Sequence, residues 1–245
     1  MTTLATLQLF YRSLFVQPYP AGVVPVPGQI PGTSFFPGGH GLWQSDTAPP
    51  VFPTGGIMIL GHDFHNVPGY MRSLARGQED VGSPTWRNLL ALLNATVIDP
   101  KECFFTNFFM GLRPGNSTTG PFPGSTDAEF VARCRLFFLH QLAVQRPRLI
   151  LVLGNYVPAY LSQLSNSLSS WETLRTFKSR DKFAQSVILD ARFHATDDFC
   201  SNVVSLVHPS YRHINLKSRR WIAPDGQVHS GEAAEVEMVR FALNA

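Results

Sequence analysis

Two stretches of this chain, Gly56-Ile57-Met58-Ile59-Leu60-Gly61 and Leu149-Ile150-Leu151-Val152-Leu153-Gly154, are apolar without interruption and end at glycine. Runs this short fall well under the roughly 18 residues of a membrane span, and their lack of polar alternation means that both faces must be covered by protein. They predict strands buried on both sides, of the kind found in parallel sheets layered between helices. Cys103-Phe104-Phe105-Thr106-Asn107-Phe108-Phe109 is a third β-prone run, and residues 186–189 and 203–207 complete the set. Helical patterns lie between them. Ser83 is placed as an N-cap before Pro84, with Leu89, Leu90, Leu92 and Leu93 on one apolar face and Asp99-Pro100 as the stop. Thr126 or Asp127 can open a second helix through Phe130, Cys134, Phe137, Phe138, Leu142 and Val144, ending before Pro147. A further helix begins near Tyr156, and residues 232–243 read as a closing helix capped by Ser230. The alternation predicts an α/β fold: a single domain with a mostly parallel central sheet flanked by helices.

Composition sets the boundaries of that domain. With 245 residues, 44% of them hydrophobic and 15% charged, the chain can fill one sizeable core and is too apolar for an extended disordered coil. The first 56 residues hold nine of the 19 prolines and only two formal charges, Arg12 and Asp46. Such a segment cannot alternate cleanly as strands or run as long helices, so residues 1–55 are expected to wrap as a Pro-rich arm on a domain of residues 56–245. Cys103, Cys134 and Cys200 are odd in number and widely spaced, which argues against a disulfide framework or a zinc knuckle and for reduced thiols. Arg12 and Pro18 interrupt the mildly apolar start before an export signal is complete, so a soluble, cytoplasmic protein is expected. The net charge of +3 does not by itself indicate a polyanionic partner, but Arg212, His213, Lys217, Arg219 and Arg220 form a basic segment with no acid among them, suited to phosphate contact.

In open parallel sheets ligands bind beyond the carboxyl ends of the strands, so the residues just after each apolar run carry the most information. They are Gly61-His62-Asp63-Phe64-His65, Asn107, Gly154-Asn155 and His208-Pro209-Ser210. Their joint placement at one sheet edge is the signal.

Together these residues resemble the uracil-DNA glycosylase superfamily. Its best-known first motif reads G-Q-D-P-Y-H, and Gly61-His62-Asp63-Phe64-His65 keeps the Gly and the Asp two positions on. The strand ending in T-N before a Gly/Pro-rich loop, as in the thermophile-type family, is matched by Thr106-Asn107 and by Arg113-Pro114-Gly115-Asn116. The helix-to-strand passage C…L…Q…RP…I…LG is matched by Cys134, Leu139, Gln141, Arg146-Pro147, Ile150 and Leu153-Gly154, and the last motif, H-P-S, by His208-Pro209-Ser210. The resemblance runs in order from about Gly56 to Arg212 and leaves out the arm and the tail.

It implies a monofunctional glycosylase acting as a monomer on uracil-containing DNA, with no cofactor, no metal and no membrane. Cleaving an N-glycosidic bond creates a sugar cation and an anionic base, so such a site needs a carboxylate and a hydrogen-bond donor. Asp63 would be the catalytic carboxylate and His208 the catalytic donor to a uracil carbonyl. Asn107 would read the base, since an amide can both donate to O4 and accept from N3–H, whereas cytosine presents the reverse pattern. Gly154, Asn155 and Ser210 would contact DNA phosphates, and Arg212, where the best-known family has a Leu wedge, would fill the gap left by a flipped nucleotide, with Tyr211 as the alternative wedge. The departures fall around the base. His62 stands where Gln or Glu is usual and adds an acid/base candidate, and His65 replaces the Tyr that excludes the thymine methyl. Arg76 falls where the stacking aromatic would be, which leaves Tyr70 or Phe64 as substitutes. Only Cys134 matches the four cysteines of the thermophile-type iron–sulfur cluster, so no cluster is expected.

Two other classes fit the same residues. His62, Asp63, His65, His208 and His213 could serve a metal-dependent hydrolase, and a non-catalytic protein of the same fold could grip damaged bases without cleaving them. G-x-G-x-x-G, G-x-x-x-x-G-K-[ST] and G-x-S-x-G are all absent, which excludes the nucleotide-binding and serine-hydrolase signatures.

Overall fold

The computed structural model describes residues 3–43, 53–194 and 199–245; Asp46, Pro49 and Pro50 of the arm lie outside them. In chain order the elements are α1 (Thr3–Leu14), β1 (Ile57–Gly61), α2 (Val67–Arg76), α3 (Pro84–Ala95), β2 (Cys103–Asn107), α4 (Ala128–Gln145), β3 (Leu149–Leu153), α5 (Val157–Leu161), α6 (Phe177–Lys182), β4 (Val187–Ala191), β5 (Ser201–Leu206), α7 (Arg212–Asn215), β6 (Arg220–Ile222), β7 (Val228–Ser230) and α8 (Glu232–Asn244). The central sheet has the order β2-β1-β3-β5-β4, parallel throughout except for β4, which runs antiparallel to β5 at one edge. The single α/β domain read from the sequence is therefore the fold adopted.

Every residue of β1, β2 and β3 is buried, as the unbroken apolar runs require. Alternate residues serve two cores. Met58, Leu60, Phe104, Ile150, Val152 and Val203 face α4 and the arm. Ile57, Ile59, Phe105, Leu149, Leu151, Leu153, Val204 and Leu206 face α3 and α8. The helix ends follow local chemistry. The Asp127 side chain accepts from the Phe130 amide at 2.8 Å and caps α4, while Pro84 opens α3 although Ser83 makes no side-chain cap bond. At α8 the cap position is Gly231, at φ 62°, rather than Ser230. Several elements were not anticipated, among them the short helices α6 and α7. Helix α2 is held by Asn66, whose side chain accepts from the Gly69 amide, and by Gly77 in the left-handed region; β6 and β7 form a short hairpin.

The arm departs from expectation at its start. Residues 1–17 contain no proline, and Thr3–Leu14 is helical, packing Phe10, Tyr11 and Phe15 against Phe137 of α4. Only beyond Pro18 does the arm become irregular, as its prolines dictate. It then covers the open edge of the sheet: the Phe36 amide donates to the Phe105 carbonyl at 2.9 Å, and the Phe105 amide donates to the Gly41 carbonyl at 2.8 Å. An unpaired edge of β2 is thereby satisfied. Phe36 enters the α4 core, and Phe35, pointing the other way, packs on Phe105 and Trp86. Among the described residues no helix is long and apolar enough to cross a membrane.

Candidate active site

The carboxyl ends of β1, β2, β3 and β5 open into a cleft of about 660 Å³, lined among others by Asp63, Asn107, Gly154 and His208. Gly61 and Asn107 are direct partners in the β1–β2 register. A Cβ on Gly61 would collide with the Asn107 side-chain oxygen and touch the Phe35 ring at 3.4 Å, so glycine there lets the Asn107 amide and Phe35 lie side by side over the strand end. Asn107 is 4% exposed, and among the described residues no partner holds its amide.

Asp63 is bound from three sides. Its Oδ2 accepts from Arg113 Nε at 3.1 Å and Nη2 at 2.8 Å and lies 2.9 Å from His62 Nδ1; its Oδ1 accepts from the His65 amide at 3.0 Å. His65 reaches that position with φ 77°, an uncommon conformation for a residue with a side chain. Burial alone would raise the Asp63 pKa, but the hydrogen bonds and charges of His62 and Arg113 outweigh it and bring the pKa down to about 2. Asp63 is thus a fixed anion. Arg113, 3% exposed, spends its other donors on the carbonyls of Thr119, Gly120 and Pro121, which ties the carboxylate to the loop forming one wall of the cleft.

His208 is held neutral. Burial lowers its pKa to about 4, against a smaller upward pull from Asp63 and with help from His62 and His65. Its Nδ1 accepts from the Ser210 amide at 3.3 Å, so the neutral ring carries its proton on Nε2 as a donor. The loop that carries it is clamped onto α3: Ser210 Oγ and Thr85 Oγ1 are 2.6 Å apart, and Asn88 Nδ2 donates to the Pro209 carbonyl at 2.8 Å. Gly154, at φ 93°, lies against the His208 side chain, where a Cβ would be 3.5 Å from the His208 Cβ.

The remaining candidates separate. His62 lines the cleft, stacked on Tyr156 with ring centroids 5.0 Å apart and edge-on to Phe109 at 5.3 Å. His65 is exposed, its ring over Gly69 at the start of α2. Phe64 and Tyr70 reach the cleft wall but are 7% and 4% exposed; Phe64 packs towards Gly38, and the Tyr70 hydroxyl donates to the carbonyls of Gly28 and Gly38. The arm holds both, and the ring beside Asn107 is Phe35 instead. Asn155 turns its side-chain oxygen to Arg180 Nη2 at 2.6 Å, which leaves the amide nitrogen as its free donor group.

Arg212 requires a correction. It is 5% exposed, its Nη1 donates to buried Glu235, and its Nη2 to Glu232 at 3.3 Å. Withdrawing it into a gap in DNA would strand a buried carboxylate, so it cannot serve as a wedge. On the same segment Tyr211, 37% exposed, lines the cleft, and Ile214, 59% exposed, is presented to solvent. Arg219 is also buried, at 1%, so the basic segment offers solvent only His213, Lys217 and Arg220.

Arg113, Phe35 and Tyr156 were not anticipated as site residues. An arginine directly after the apolar run Phe108–Leu112 was a usable sign for Arg113, because a charge in so apolar a context needs a buried partner. Among the described residues no three His, Cys, Asp or Glu side chains are grouped to hold a metal ion.

A mostly parallel α/β sheet that brings an anionic carboxylate, a neutral histidine donor and an open amide to one cleft at its carboxyl edge defines the class. The chain belongs to the uracil DNA glycosylase superfamily, whose family model matches residues 55–223, more than half of its length. No curated protein matches its sequence.

Proposed function

We propose that this protein hydrolyses the N-glycosidic bond of uracil in DNA and leaves an abasic site. The observation that carries the reading is the pairing of charge states in one cleft: Asp63 ionised with a pKa of about 2, and His208 neutral with its proton on Nε2. A sugar cation is favoured by the first and a departing uracil anion by the second. Asn107 reads the O4 acceptor and N3 donor of uracil, and the unpaired groups that cytosine would leave exclude it. The Gly154-Asn155 turn and Ser210 position the strand, Tyr211 and Ile214 meet the vacated stack, and Lys217 and Arg220 meet phosphates. The protein acts as a monomer, and its free cysteines suit a reducing, cytoplasmic setting. The test is abasic-site formation on matched oligonucleotides carrying U opposite A, U opposite G, hypoxanthine or T: cleavage of both U substrates is expected, the T substrate reports whether His65 in place of Tyr admits the thymine methyl, and none on any substrate refutes the reading.

A binding-only reading draws on Arg113, whose positive charge beside Asp63 offsets part of the field that a sugar cation would feel. It predicts tight retention of uracil-containing strands without cleavage, which the same assay run with a gel-shift measurement separates.

A further inference from the structure

On the reading of the cleft as a uracil-DNA glycosylase site, we propose that His62 is the general base of the reaction: its Nε2 takes the proton of the attacking water, and Asp63 orients the ring. Asp63 is poorly placed to take that proton itself. One of its oxygens is shared by Arg113 and His62 and the other holds the His65 amide, which leaves neither free to receive a proton from water. The same contacts prepare His62. With Nδ1 2.9 Å from Asp63 Oδ2, the neutral ring places its proton on Nδ1 and its lone pair on Nε2. Tyr156 stacked on one face, with Phe109 and Phe122 edge-on at 5.3 and 6.4 Å, holds the ring in position at the cleft, where its side chain is 12% exposed. A carboxylate that fixes the tautomer of a histidine whose other nitrogen faces the reactant is a known division of labour between the two side chains.

The charges balance along this route. The C1′–N1 bond breaks with its electron pair passing to the uracil ring, where His208 Nε2–H donates to a carbonyl oxygen. Water then bonds C1′ through its oxygen while one O–H bond breaks towards His62 Nε2. The positive charge passes from the sugar to His62, so from bond cleavage until His62 releases its proton Asp63 faces one cation beyond Arg113. His62 afterwards returns its proton to solvent, and the uracil anion takes one from it.

The test uses His62→Gln, which can still donate to Asp63 but cannot accept a proton, and His62→Ala, each in the full chain. Parent excision from a single-stranded uracil oligonucleotide is measured first; if there is none, the glycosylase reading fails and the variants are not the cause. With parent activity in hand, single-turnover rates at saturating protein are expected to fall roughly 10²- to 10⁴-fold in both variants. Affinity for the same strand carrying a 2′-fluorinated, uncleavable deoxyuridine is expected to stay within about 2-fold, because phosphate contacts dominate it. Added imidazole restoring part of the His62→Ala rate supports a proton-acceptor role that packing alone would not produce. A His62→Gln rate equal to the parent's, or a rate loss matched by an equal loss of affinity, overturns the proposal.

Discussion

Asp63 and Glu235 are both buried carboxylates bound by arginine, yet burial loses at the first and wins at the second. Glu235 is 0% exposed and meets Arg212, Arg219 at 3.8 Å and the Val207 amide at 2.6 Å. Its pKa is nonetheless raised, because loss of solvent outweighs those partners. At Asp63 the fork of Arg113, the His62 ring and the His65 amide overcome the same penalty. The geometry of the donors separates the two, since each has cationic neighbours. Glu235 ties α8 to the loop behind the cleft, whereas Asp63 is kept ionised at the cleft itself. A buried ion pair is weak grounds for function; one whose anion is held open to a pocket is stronger.

The sharpest way to break that comparison is to neutralise each carboxylate in turn. Asp63→Asn is expected to lower excision by about 10³-fold or more with the fold intact. Glu235→Gln is expected to lower stability by about 3–5 kcal/mol in denaturant unfolding while the folded fraction keeps its turnover. Loss of turnover in well-folded Glu235→Gln would show that the two pairs are not distinct. The arginines come next. Arg113→Gln and Arg212→Gln should each destabilise by a similar amount, but only Arg113→Gln should also slow the folded protein, by about 10²-fold, because it frees the carboxylate from its set position. Equal rates for the two variants would place Arg113 among purely structural residues.

Smaller effects sharpen the boundary between front and rear. Tyr211→Ala is expected to slow excision from duplex DNA by about 10-fold and from a single strand by less than about 2-fold, since only the duplex has stacking to replace. A uniform loss on both substrates would make Tyr211 a strand contact instead. A last contrast concerns pH. His208 titrates at 6.5 when unfolded and at about 4 when folded, so the unfolded chain binds the proton first. Its contribution to stability is complete above pH 6.5 and declines as pH falls towards 4. Melting temperatures across that window should fall less steeply in His208→Gln than in the parent, and parallel curves would contradict the assignment.

Much of this was legible because buried parallel strands announce themselves. The runs at Ile57–Gly61 and Leu149–Leu153 could be little else, and the polar residues closing them had to meet at one edge. What escaped did so for definite reasons. Averaging composition over 56 residues hid that the first 17 lack proline, and so hid α1. Helix α2 had its signs, Asn66, Pro68 and Gly77, but it is only 10 residues long and buries little beyond Tyr70. Arg212 was misplaced because a basic segment reads as surface until its acids are found, and Glu232 and Glu235 lie 20 and 23 residues further on. Phe35 comes from a segment whose partner strand begins 68 positions later, a distance that no local pattern spans.

The course of the arm along β2 also has a consequence for dissection of the molecule. A fragment lacking only the arm, 56–245, would expose a pairing-competent strand edge that invites association between copies. It would also lose the Phe35 wall of the pocket and strip Phe64 and Tyr70 of the backbone that pins them. The arm thus covers a sheet edge and walls the pocket at once, so insolubility of such a fragment and any altered activity in it are expected to share one cause.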